Sequence, residues 1–95
     1  MAGLSPEHKN VPLGRIVITR AALLALQQDD VRKAVRRHQR GDWGECSKED
    51  AEANNVSLRE GSRILSVFRD RNDKKFWIIT EADRSVTTVL LPEDY

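Results

Sequence analysis

Apolar and polar positions along this chain follow a helical period in the first half and a strand pattern in the last third. Arg15-Ile16-Val17-Ile18 is a short β-branched run that predicts an edge strand. Thr19 can cap the helix composition that follows, Ala21 to Gln27, with Leu23, Leu24 and Leu26 expected to anchor it in the core. A second helix is predicted from a cap at Asp29 or Asp30 through about Gln39. At helical spacing, Val31, Ala34, Val35 and His38 share one arc, and Arg32, Lys33, Arg36, Arg37 and Arg40 occupy the opposite one. Gly41 is placed to stop this helix.

Ser47-Lys48-Glu49-Asp50 resembles a capping box and predicts an acidic third helix to about Val56, fraying at Asn54 and Asn55. Three runs then switch to strand character: Arg63–Arg69, Lys75–Thr80 and Val86–Leu91. Their short polar connections predict hairpins, hence an antiparallel meander. Turns centred on Asn72-Asp73 and Asp83-Arg84 set Val67 opposite Ile78, and Ile78 opposite Val89. Leu65, Val67, Phe76, Ile78, Val89 and Leu91 then share one face. Ile64, Phe68, Trp77, Ile79, Val86 and Leu90, with Ser66, Glu81 and Thr88, share the other, so both sheet faces are apolar at their centres and both need cover. The expected fold class is α+β: a short N-terminal strand, two or three helices, then a three-stranded antiparallel β-meander. Residues 1–12 read as a flexible arm and 13–95 as a single α+β domain.

Composition narrows the chemistry. Among the 95 residues there is one cysteine, Cys46, which leaves no intramolecular disulfide and no multi-cysteine zinc site. His8, His38 and Cys46 form no metal-ligand spacing, so neither metal nor cofactor is expected. No apolar run approaches the roughly 18 residues that span a bilayer, and no signal peptide is visible, so the expectation is a cytoplasmic chain without membrane contact. The net charge of +1 conceals a dipole. Residues 1–41 carry eight Lys/Arg against three acids, and residues 42–95 carry eight against twelve. One side of such a chain can meet a polyanion, or the two halves can neutralise each other across the fold.

Candidate binding residues follow from the basic arc: Arg32, Lys33, Arg36, Arg37 and Arg40 could track phosphates, dock on an acidic protein partner, or form an ordinary solvated face. Trp43, in the turn Gly41-Asp42-Trp43-Gly44, could be a stacking platform, an interface anchor, or a staple that closes the loop over the core. His38 could be a general base, although its phase puts it on the apolar stripe as a packed histidine. Glu81, Asp83, Arg84, Thr87 and Thr88 cluster at the second hairpin. With His38, the set Glu81, Arg84 and Thr88 offers the acid, base and cation of metal-independent RNA cleavage, or merely an exposed charged hairpin. Apolar residues on the second sheet face also raise a homodimer through that face.

Gly41-Asp42-Trp43-Gly44 after Arg37-His38, Arg63-Ile64-Leu65-Ser66-Val67, and the string from Phe76 through Thr80-Glu81-Ala82-Asp83-Arg84-Ser85 to Pro92 are together distinctive. Over about residues 13–95 they resemble a family of small bacterial proteins of unassigned activity, carried on plasmids, prophages and other mobile elements and loosely tied to restriction systems. That resemblance implies a mobile-element setting, with an accessory or anti-defence role. Helices followed by an antiparallel sheet also look like the barnase/EndoU/colicin/RelE-like ribonucleases, an architectural likeness only. The leading expectation is a non-enzymatic module whose basic helix engages nucleic acid or an acidic protein. The alternative is a small ribonuclease or toxin.

Overall fold

A computed structural model describes residues 10–95. The element order is β1 (Arg15–Ile18), α1 (Arg20–Ala25), α2 (Gln28–Gln39), α3 (Lys48–Glu60), β2 (Ile64–Arg69), β3 (Lys75–Thr80) and β4 (Val86–Leu90), closed by a 3-10 turn at Pro92–Asp94. Among the described residues the fold is α+β, with three helices and a four-stranded mixed sheet of order β1-β4-β3-β2. β2, β3 and β4 pair antiparallel in sequence order, and β1 joins β4 in parallel, so the expected three-stranded meander is extended by a fourth strand from the N-terminal side. Of the expected arm, residues 1–9 lie outside the described residues. Val11 is fully buried, and its N–H donates to the Gln39 carbonyl at 2.8 Å, so it belongs to the core.

The first hairpin departs from the expected register. β3 and β4 pair as expected, with Ile78 opposite Val89, but Ile78 also faces Ser66 rather than Val67. The Asp70–Lys74 loop holds one residue more than a tight turn. Asp73 adopts a left-handed φ of 65°, and the Asp70 carboxylate accepts the N–H groups of Asn72 (2.9 Å) and Lys74 (3.0 Å). A one-residue slip exchanges the faces of a whole strand. Ile64, Ser66 and Phe68 therefore join Phe76, Ile78, Thr80, Thr87 and Val89 beneath the helices. Leu65 and Val67 turn to the other side with Trp77, Ile79 and Leu90.

The main core joins Ala22 and Leu26 from the α1 end, Val31 and Ala34 from α2, and Phe68, Phe76, Ile78 and Val89 from the sheet. A second cluster gathers Val11, Trp43 and Ile64, with Leu58 of α3 against it. In α1 only Ala22 is buried; Leu23 and Leu24 are 50% and 75% exposed, contrary to the expected anchoring. Six residues make fewer than two turns, so α1 has only a narrow inward stripe, which Ala22 and the C-capping Leu26 occupy. Gln27, rather than Asp29 or Asp30, occupies the N-cap position of α2, without a side-chain capping bond. Both aspartates lie in its first turn, where the helix dipole favours them.

α3 does not fray at its asparagines. It runs on to Glu60 and ends at Gly61 in the left-handed conformation. Asn54 is buried beside β2; its Nδ2 donates to the Leu65 carbonyl at 2.8 Å, and its Oδ1 accepts the Leu65 N–H at 3.1 Å. One side-chain amide thus imitates a neighbouring strand. Next along this edge, the Val67 N–H donates to the Trp43 carbonyl (3.2 Å) and the Glu45 N–H donates to the Val67 carbonyl (2.7 Å). Gly44 makes this approach possible: a Cβ there would lie 1.9 Å from the Val67 oxygen. The outer edge of β2 is therefore closed by the chain itself.

Candidate functional site

α2 orders the candidate residues by simple periodicity. Val31, Ala34 and His38 are buried against the sheet, and Arg32, Lys33, Arg36, Arg37 and Arg40 are all exposed. Two of the five are engaged by the protein's own carboxylates: Arg32 pairs with Asp29, one turn away, and Arg37 Nε donates to Asp42 at 2.7 Å. The Arg37 guanidinium also lies over the Phe68 ring, 4.8 Å from its centre, a cation–π contact. Its hydrogen bond keeps the Asp42 carboxyl below the usual carboxylate range. Lys33, Arg36 and Arg40 make no ion pair among the described residues, so they remain as the available positive charge. At the start of α2, the side chain of Arg71 anchors Asp30 at 2.9 and 3.1 Å, and the Arg71 N–H donates to it at 2.8 Å. These bonds hold the Asp30 carboxyl at about 2.

Trp43 does not belong to this exposed face. It is only 5% exposed, stands edge-on to the His38 ring at 5.7 Å, and donates its Nε1–H to Asn55 Oδ1 at 3.0 Å. Both flanking glycines, Gly41 and Gly44, have positive φ, and this fold of the turn directs the indole inward as a staple rather than outward as a platform.

His38 is fully buried, with a hydroxyl on each ring nitrogen: Ser66 Oγ lies 2.5 Å from Nδ1 and Thr80 Oγ1 lies 2.8 Å from Nε2. Thr80 Oγ1 is 2.8 Å from Thr87 Oγ1, and Thr87 donates to the Leu13 carbonyl at 2.7 Å. That last acceptor fixes the direction of the whole chain. Thr87 spends its proton on Leu13, so it accepts from Thr80; Thr80 then accepts from His38 Nε2–H, and Nδ1 accepts from Ser66. The imidazole is neutral, protonated on Nε2, and burial pushes its pKa down to about 4.

The residues of the cleavage alternative do not share one face of the sheet. His38 is sealed beneath the helices. Thr88 is on the opposite sheet face, because Thr87 beside it points to the helix side. Glu81 pairs with Arg63 at 3.3 Å. Arg84, at a left-handed φ of 62°, donates to the carbonyls of Ser62 (2.7 Å), Ser57 (2.9 Å) and Glu81 (3.1 Å), tying the second hairpin to the end of α3. His38, Glu81 and Arg84 each hold a structural partner, and Thr88 lies on the sheet face away from His38. Among the described residues no His/Cys/Asp/Glu group is arranged to hold a metal ion, and no helix is long and apolar enough to cross a membrane.

Sequence reasoning missed an apolar groove of about 330 Å³ between β1 and α2, whose rim carries Arg32 and Arg36. The signal available was the β-branched run Ile16–Ile18; the parallel pairing that positions it was not legible. The chain matches no family model, and neither a curated protein nor a solved structure matches it.

Proposed function

We propose that this chain is a non-catalytic binding module that engages an anionic macromolecule, nucleic acid or an acidic protein, through the outward face of α2. The observation that carries this reading is the exposure of five cations on that helix, of which Lys33, Arg36 and Arg40 make no ion pair among the described residues. A rigid helix presents them at fixed spacing without loop ordering on binding. α2 is held rigid from behind by the hydroxyl chain around His38 and at its start by Arg71. An accessory role on a mobile element, as the resemblance implies, fits a small binder.

Binding is tested with fluorescent duplex DNA, single-stranded RNA and an acidic protein, each titrated over a salt series. The triple variant Lys33→Gln, Arg36→Gln, Arg40→Gln should lose affinity and flatten the salt dependence. For duplex DNA the slope should fall by up to about 0.9 per contact removed. Unchanged binding of every anion by a folded triple variant would refute the assignment to this face.

A further inference from the structure

The two edges of the sheet are treated differently, and the difference points to a ligand. The outer edge of β2 is closed by Asn54 and by the Trp43–Glu45 segment. The outer edge of β1 is short, four residues, and begins with the charged Arg15, but its Ile16-Val17-Ile18 run contains no proline, glycine or lysine. The Arg15 N–H donates to Ser85 O and the Thr19 N–H donates to Val89 O, so the odd-numbered residues bond inward to β4. Strand alternation then turns the N–H and C=O groups of Ile16 and Ile18 outward. Ile16 is 51% exposed, and beside it runs the groove floored by Ile18, Val31, Val35 and Val89.

From this geometry we infer that β1 accepts an extended acidic segment of a partner protein as an added strand. Its apolar side chains would enter the groove, and its carboxylates would meet Arg36 on the rim and Arg15 on the strand. The inference rests on the anionic-partner reading above and selects between its two ligand classes. A peptide strand offers both donors and acceptors to Ile16 and Ile18, whereas a phosphate backbone can only accept from their N–H groups. The groove itself is lined mainly by aliphatic carbon, which suits side chains rather than a sugar–phosphate chain. Charge sets the sign of the partner. From Asn10 to Gln28 there is no carboxylate, while Arg15 and Arg20 flank the strand. Nearby acids are engaged: Asp29 with Arg32, Asp83 with Ser85, and Asp94 with the Leu91 N–H and the Thr19 hydroxyl. A second copy docked edge to edge would set two cationic rims against each other.

The test selects from a library of random dodecapeptides on the full chain, counter-selected on Ile16→Pro, which removes an outward N–H without breaking a bond to β4. Selected peptides should be acidic with apolar residues at alternate positions. They should lose at least about tenfold in affinity to Ile16→Pro and to the surface variant Arg32→Glu/Arg36→Glu, as expected of β-augmentation. They should also slow amide exchange at Ile16 and Ile18. The surface variant and the exchange readout hold even if Ile16→Pro fails to fold. Overturning results are a selected pool with helical or no periodicity, unchanged exchange at both isoleucines, or a dimer in light scattering that Ile16→Pro abolishes. Nucleic acid that binds equally to wild type and Ile16→Pro, but is lost by the Lys33/Arg36/Arg40 triple variant, overturns the added strand and leaves the anionic-partner reading standing. Absence of any salt-sensitive ligand overturns both.

Discussion

The buried imidazole of His38 makes the stability of this fold fall on mild acidification. In the folded chain His38 has a pKa of about 4, against 6.5 when free of burial. Between those values the unfolded state binds the proton and the folded state does not, so stability decreases as pH decreases. Worked through the linkage relation, the cost is negligible at pH 7 and about 2 kcal/mol at pH 5. A domain of this length has a total stability of roughly 5–14 kcal/mol, so the loss is a substantial fraction. Carboxylates, with an ordinary pKa of 3.8, contribute mainly below that window. Urea unfolding followed by tryptophan emission at pH 7, 6 and 5 measures the effect. His38→Gln is the reference: it retains an acceptor and a donor but no titrating nitrogen, and it cancels every other ionisable group. Wild type should lose about 2 kcal/mol more than the variant between pH 7 and 5. Nitrogen-15 spectra should show a pyrrole-type Nε2 and a pyridine-type Nδ1 throughout. Parallel pH profiles for the two proteins, or an imidazole titrating near 6.5, would refute both the burial argument and the directed hydroxyl chain.

Gly44→Ala should lower stability by about 3 kcal/mol or more, because the left-handed conformation adds to the 1.9 Å approach to Val67. Gly61→Ala, with nothing within 4 Å of the new methyl group, should cost only about 1–2 kcal/mol; equal losses in chemical denaturation would contradict the packing described at Gly44. Asn54→Ala should cost about 2 kcal/mol by orphaning both backbone groups of Leu65, and should raise the apparent mass in concentrated solution as the β2 edge opens. Arg84→Ala should reduce stability by about 1–2 kcal/mol, seen as faster amide exchange in the last turn of α3; exchange rates unchanged there would show that its three carbonyl contacts do not hold the helix end.

What the sequence discloses is mostly local. The period of Val31, Ala34 and His38 against the five cations is a property of one helix, and the structure keeps it intact. β-branched runs likewise mark all four strands. Parallel pairing of β1 with β4 joins residues far apart in sequence, and no local pattern encodes it. Asp70 decides the hairpin register through side-chain bonds to backbone N–H groups, which hydrophobic alternation cannot register. Asn54 and Asn55 look like helix weakeners, yet one closes a strand edge and the other accepts the Trp43 indole proton. Tertiary partners override their propensity. The groove beside β1 was hidden for the same reason as the parallel pairing that builds it.

In chain order β4 is the last strand, yet it lies inside the sheet, between β1 and β3. During synthesis β1 and the first two helices therefore emerge long before the strand they pack on, and their apolar surfaces stay uncovered until Val86–Leu90 is made. Shortening the chain before Val86 would remove a central stave rather than a border, separating β1 from everything that holds it.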